Sequence, residues 1–320
     1  MVMHPTNRNA DAGNALSKAG KRPTAPDVLI HMHIPKTGGT SLSSMVKHGF
    51  RNDEIFEWTR HGVDRYSGLN IATQECCHQY LAVFGLDRVR YVSGHVPFGL
   101  HRVFDRPAQY ITVLRHPVER VVSTFYFQKQ IKIPFLKEGR LVTFEEYVED
   151  RFDINLIDYQ VRVLSGSPEL NADAPEPGGQ VSSAPVARHH FDQVKRNIDQ
   201  HFLAIAPVGQ LTELGLLIRR IYGWPMRRLH NEYKNATKDR PTLTDIPPRL
   251  IRMIEDCNSY DIELYEWVSK RFADQIRLFE RELSLDRSVY AVINPVLTTA
   301  GRVLPQSMRK RLAEILFYAK

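Results

Sequence analysis

Residues 28–44, Val-Leu-Ile-His-Met-His-Ile-Pro-Lys-Thr-Gly-Gly-Thr-Ser-Leu-Ser-Ser, constrain this chain more than any other stretch. An apolar, strand-like run ends in a Gly-Gly turn flanked by hydroxyls and a lysine, and a helix is expected from about Thr40. Gly38 and Gly39 tolerate positive φ and let backbone N–H groups come close to a ligand. The first N–H groups of the helix and its positive dipole end point at the same spot. Lys36 adds a mobile cation, and Thr37, Thr40 and Ser41 add hydroxyls. The stretch therefore reads as a cradle for phosphate or a similar oxyanion, although a glycine turn without a ligand also fits the loop alone. A nucleotide-binding P-loop would need glycine at positions 30 and 35 to place its Lys-Ser/Thr end on Lys36 and Thr37. Those positions are Ile30 and Pro35, so that pattern is not met.

Two further units have the form of a strand followed by a polar residue, the place where ligands bind in open α/β sheets. Arg90–Ser93 leads into Gly94-His95-Val96. His95 has the chemistry of a general base, since an imidazole titrates at about pH 6.5 unperturbed; a histidine bonded within a Gly-His turn is the plainer alternative. Tyr110–Leu114 leads into Arg115-His116-Pro117, and Val118, Val121, Val122, Phe125 and Tyr126 follow at helical spacing. Pro117 suits the first helical position. Arg115 offers a planar fork of donors for phosphate, and Ser123, two turns into the helix, offers a hydroxyl. Farther on, Phe191, Val194 and Ile198 mark a helix, Phe202–Val208 a strand, and Leu211–Ile221 a second helix ending at Gly223. Pro247-Pro248 opens further helices whose apolar positions read as core.

Composition narrows the class without choosing the ligand. In 320 residues, 42% are hydrophobic and 25% charged, which is ordinary for a globular protein. No run approaches the length of a membrane-spanning helix. Positions 1–26 lack the apolar centre of a secretory signal and read as a disordered lead. Three cysteines are too few for a disulfide framework, which fits a cytoplasmic location. The net charge of +7 favours anionic ligands in general. Gly166 to about position 187 is dense in Pro, Gly and Ser and reads as a mobile loop, either a lid or an inert insertion. Asp158 reads as solvated and His101 as a surface residue. A basic amphipathic segment at 307–320 suits either docking on its own domain or peripheral contact with an anionic membrane.

Pro-Lys-Thr-Gly-Gly-Thr-Ser resembles the 5′-phosphosulfate loop of sulfotransferases that use 3′-phosphoadenosine 5′-phosphosulfate (PAPS). The similarity is to the saccharide O-sulfotransferase branch, that of heparan sulfate 2-O-sulfotransferases and bacterial relatives. Arg115, a proline two residues on, Ser123 and the aromatics 125–127 resemble that family's 3′-phosphate motif. Gly94-His95-Val96 resembles the segment holding the base proposed for that branch. The resemblance implies an α/β, three-layer, P-loop-like fold with a mainly parallel central sheet flanked by helices. It implies a sulfotransferase domain over 27–285 and a C-terminal helical extension over 286–320. It further implies PAPS as donor, a hydroxyl acceptor on a saccharide, no metal, and catalytic roles for His95 and Lys36. Donor contacts would come from Lys36, Thr37, Gly38, Gly39, Thr40, Ser41, Arg115 and Ser123, with Asn231, Lys234, Thr237 and Lys238 in a loop closing over the nucleotide. Asn155, Gln160 and Arg162 fall in a segment that borders the acceptor cleft in bacterial relatives. Two other classes remain compatible with the anion loop: an ATP-dependent kinase, and a non-catalytic anion- or glycan-binding protein.

Overall fold

The computed structural model describes residues 22–58, 81–131, 135–150, 156–171, 184–229 and 241–303. Strand β1 (Val28–Met32) lies inside a parallel sheet whose described strands are ordered β2-β3-β1-β4-β7. Its partners are β2 (Ile55–Glu57), β3 (Tyr91–Gly94), β4 (Ala108–Leu114) and β7 (Phe202–Pro207). All four strand pairings are parallel, so the carboxyl ends of β3, β1 and β4 open on one edge of the sheet. A small antiparallel pair, β5 (Leu136–Lys137) and β6 (Arg140–Leu141), stands apart from it.

Side-chain alternation along the central strands produces three layers. Val28, Ile30 and Met32 enter one core with Tyr110 and Leu114, whereas Leu29 enters the other with Ile111 and Val113. The first face is covered by α4 (Tyr159–Ser165), α6 (Arg188–His201) and the start of α9 (Ser259–Arg277). The second is covered by α1 (Gly39–Val46), α7 (Leu211–Tyr222) and α10 (Glu280–Val303). Each large aliphatic side chain sealed in these layers contributes roughly 1.5–3 kcal/mol. A third cluster joins α2 (Pro117–Gln130) to α3 (Phe144–Glu149) and α8 (Pro248–Asp256). Helix α9 spans both faces, with Leu264 and Val268 on one and Phe272 and Ile276 on the other, and so passes edge strand β7. Gln275 donates to the Leu203 carbonyl at 2.9 Å, occupying part of that exposed edge.

The structure overturns one sequence expectation, at Asp158, and adds two features that the sequence left unread. The stretch after position 51 supplies edge strand β2, too short at three residues to leave a period. Helix α10 runs through position 285, and Arg219 and Arg220 of α7 grip Asp286 just beyond. Asp158 is buried rather than solvated. It caps α4 from a left-handed conformation (φ 40), and its carboxylate accepts the Asp261 N–H at 2.9 Å. Burial, followed by repulsion from Asp261, pushes Asp158 up to about 7.

A raised carboxylate stabilises the fold most below its unfolded pKa and loses that contribution as pH rises through the folded value. Asp158→Asn keeps the acceptor oxygen and tolerates the left-handed backbone. Thermal denaturation should show little change from wild type at pH 4, and a variant that is clearly the more stable at pH 8.

Candidate active site

The loop between β1 and α1 is shaped by two left-handed residues, Lys36 (φ 66) and Gly38 (φ 92). At lysine this conformation costs roughly 1 kcal/mol and marks a place where the surroundings dictate the backbone. The Thr37 hydroxyl is buried and donates to the Ile34 carbonyl at 2.8 Å, so it braces the turn from within. The N–H groups of Ser41 and Leu42 both reach the Gly38 carbonyl, which winds α1 directly out of the turn. Thr40, exposed, and Gly39, buried, form its first helical positions. Glycine at 39 is required by contact: a Cβ there would lie 2.1 Å from Cδ2 of His33. Gly39→Ala should push the His33 ring toward His95. A turnover loss of at least about tenfold is expected in a steady-state assay, with the melting temperature nearly unchanged.

His95 follows β3 beside the end of β1. Its Nδ1 lies 2.8 Å from the His33 carbonyl, which only accepts, so Nδ1 carries the proton and Nε2 of the neutral ring keeps its lone pair. The His33 imidazole stacks on His95 with centroids 4.8 Å apart, and His31 stacks on His33 at 5.6 Å. Burial first, then the neighbouring His95, pushes His31 down to about 3. His33 lies well below its usual value through burial, then His95, His31 and Lys36. Both rings are therefore neutral where His95 works. The buried Ser93 hydroxyl, 3.1 Å from His31 Nδ1 and 3.0 Å from the Ser43 hydroxyl, links β3 to α1 beneath the stack.

Arg115 leaves β4 at the same edge of the sheet. Its Nη1 approaches the Lys36 carbonyl at 3.4 Å, and its Nε and Nη2 donate to Glu119 Oε2 at 3.0 and 2.9 Å. The Lys36 ammonium sits 3.6 Å from the centroid of the Phe127 ring. Glu119, Ser123 and Phe127 succeed one another at intervals of four, so they share one face of α2. Ser123, buried, thus lies between the residue that orients Arg115 and the residue that holds Lys36. Phe127 belongs to the aromatic cluster of the sequence motif, whereas Glu119 was not singled out, though its spacing before Ser123 was visible.

Gln160 and Arg162 fall inside the molecule and not on an open cleft wall. The Gln160 amide bonds both main-chain polar groups of Arg115 at 3.0 Å each. Arg162 is 3% exposed and donates to the carbonyls of Ile157 and Ala184. Helix α4 turns Gln160 toward Arg115 and Asp261, and Arg162 toward Ile157 and Ala184, so neither side chain faces solvent. Asn155, Asn231, Lys234, Thr237 and Lys238 lie outside the described residues, as do most of 166–187 and all of 307–320.

His101 is partly buried, with its Nδ1 taking the proton of the Tyr110 hydroxyl; burial, then His201, pushes it down to about 3. Among the described residues, Glu169, His189 and His190 form a group with metal-ligand chemistry. The Ala187 N–H donates to His190 Nδ1, which leaves the ring proton on Nε2, facing Glu169. That arrangement is a hydrogen-bonded set and not a preformed ligand set. Among the described residues no helix is long and apolar enough to cross a membrane.

A Gly-Gly loop with its lysine, an arginine fork and an imidazole thus meet at the carboxyl ends of three adjacent parallel strands. Residues 25–174, which contain all three, match the sulfotransferase domain family. Over that stretch the chain resembles a sulfotransferase domain. Over 262 residues it is 22% identical to a "Heparin sulfate O-sulfotransferase" of Drosophila melanogaster, covering 77% of this chain and 72% of that protein. Over 144 residues it is 26% identical to a heparan sulfate 2-O-sulfotransferase of Caenorhabditis elegans, covering 42% of this chain and 43% of that one. The sulfotransferase family implies PAPS as co-substrate, and this chain has donors of the right kind: a helix N-terminus with a lysine at one arm, a guanidinium at the other.

Proposed function

We propose that this sulfotransferase moves the sulfuryl group of PAPS to a hydroxyl of a saccharide, by in-line displacement with His95 as the base. One observation carries the reading: the donor loop and Arg115 adjoin, through Arg115 Nη1 and the Lys36 carbonyl, beside a histidine whose Nδ1–H is fixed by the His33 carbonyl, which makes Nε2 the basic atom of the neutral ring. The saccharide acceptor rests on the two animal relatives, whose names specify heparin or heparan sulfate.

In this reading Gly38, Gly39, Thr40 and Ser41 hold the 5′ end of the nucleotide with backbone N–H groups and hydroxyls. Arg115 and Ser123 hold the 3′-phosphate. Lys36, kept in place by the face of Phe127, neutralises the charge that appears on the bridging oxygen. His95 Nε2 takes the proton of the acceptor hydroxyl as its oxygen bonds to sulfur and the bond from sulfur to the bridging oxygen breaks. The electron pair leaves with adenosine 3′,5′-bisphosphate, and the proton stays on His95 until it is lost to solvent. Positioning and charge stabilisation carry most of the rate enhancement in such transfers. The scheme requires no metal.

Transfer of radiolabelled sulfate from PAPS tests this, with desulfated heparan sulfate, a neutral polysaccharide and a simple phenol as parallel acceptors. Label should appear in a saccharide. Label in the phenol alone would refute the acceptor class, and label in no acceptor, with PAPS bound, would refute the transferase reading.

A further inference from the structure

Arg115 owes its place to residues distant in the chain. Its N–H donates to Gln160 Oε1 and its carbonyl accepts from Gln160 Nε2, each at 3.0 Å. The amide thus replaces a neighbouring strand at the point where β4 ends and fixes both peptide planes around Arg115. Gln160 is itself fully buried and held by Asp261 of α9, whose Oδ2 accepts the Gln160 N–H at 3.1 Å and Nε2 at 3.2 Å. Oδ1 of Asp261 accepts the Val161 N–H at 2.8 Å, so the carboxylate caps the first turn of α4. Beneath it, Asp158 accepts the Asp261 N–H and donates its own N–H to Asn258. Burial pushes the Asp261 carboxyl up, and the buried Arg120 guanidinium, on the same helix as Ser123, opposes that shift.

We propose that Gln160 and Asp261 are positioning residues for recognition of the 3′-phosphate, holding the Arg115 main chain so that its guanidinium and Ser123 address one phosphate together. Asp261 lies beyond the residues that match the sulfotransferase domain, so α9 completes the donor site from outside that stretch. The inference rests on the assignment of Arg115 to the 3′-phosphate.

The test compares binding of adenosine 3′,5′-bisphosphate with binding of adenosine 5′-monophosphate, which lacks only the 3′-phosphate, by calorimetry. In Gln160→Asn the shortened amide no longer spans both Arg115 groups, and in Asp261→Asn an NH2 group takes the place of one of the two oxygens that accept from Gln160 and Val161. The preference for the bisphosphate should fall about tenfold in each. Affinity for the monophosphate should hold, as should the melting temperature of at least one variant. An unchanged preference, or an equal loss for both nucleotides, overturns the proposal, because a general structural role lowers both. Arg115→Ala separates the two levels. If its preference persists, the assignment of Arg115 fails; if it collapses there but persists in Gln160→Asn, only the positioning role fails.

Discussion

Replacing His95 with alanine is expected to lower kcat about 10³-fold while adenosine 3′,5′-bisphosphate binds as before. The expectation follows from the geometry around the ring. Nδ1–H is engaged by the His33 carbonyl, which sets the tautomer and makes Nε2 the basic atom of the neutral ring. The stacked His33 ring, neutral because buried, keeps the imidazole from turning without adding a charge that would oppose protonation. Alanine removes the proton acceptor but none of the groups assigned to the bisphosphate. Single-turnover measurement with PAPS and calorimetry with the bisphosphate make the comparison. Near-normal turnover by the variant would move the base to another residue, and a parallel loss of nucleotide affinity would make His95 a binding residue.

Arg115→Ala should produce the complementary effect, weakening the bisphosphate about 10²-fold, with kcat at saturating PAPS much less affected. In the structure its Nε and Nη2 face Glu119 and Nη1 reaches the Lys36 carbonyl, so one side chain links the second arm to the first. The loss should therefore exceed that of a single phosphate contact. Arg115→Lys restores charge but not the two-point contact with Glu119, and recovery of a small part of the affinity is expected. Equilibrium dialysis of the three proteins checks it; equal affinities would remove Arg115 from the donor site.

Legibility in the sequence followed the range over which each feature is determined. Strands β1, β4 and β7 and helices α2, α6 and α7 were visible because each is a continuous apolar run or stripe with local punctuation. Pro117 opens α2, and Gly223, at φ 67, closes α7. The loop was recognisable because its chemistry sits within a few consecutive residues. The strand order was not visible, since parallel neighbours are chosen by packing across the sheet. Asp158 was misread for the same reason: its partners Asn258 and Asp261 lie about a hundred residues away and leave no mark on the local pattern. Gln160 and Arg162 were legible as polar residues on a short helix, but which way they face depends on α9 packing against α4. Glu119, by contrast, stood four residues before Ser123 and was missed although the signal was local.

The central claim is that the loop at Lys36 and the fork at Arg115 are two ends of a grip on one bisphosphate, and not a cradle for a nucleoside triphosphate. Calorimetric titration of the full-length protein with adenosine 3′,5′-bisphosphate, and separately with ATP and Mg²⁺, tests it most directly. The account predicts one bisphosphate per chain, bound at least about tenfold more tightly than ATP·Mg²⁺. Equal or tighter binding of ATP·Mg²⁺ would contradict it.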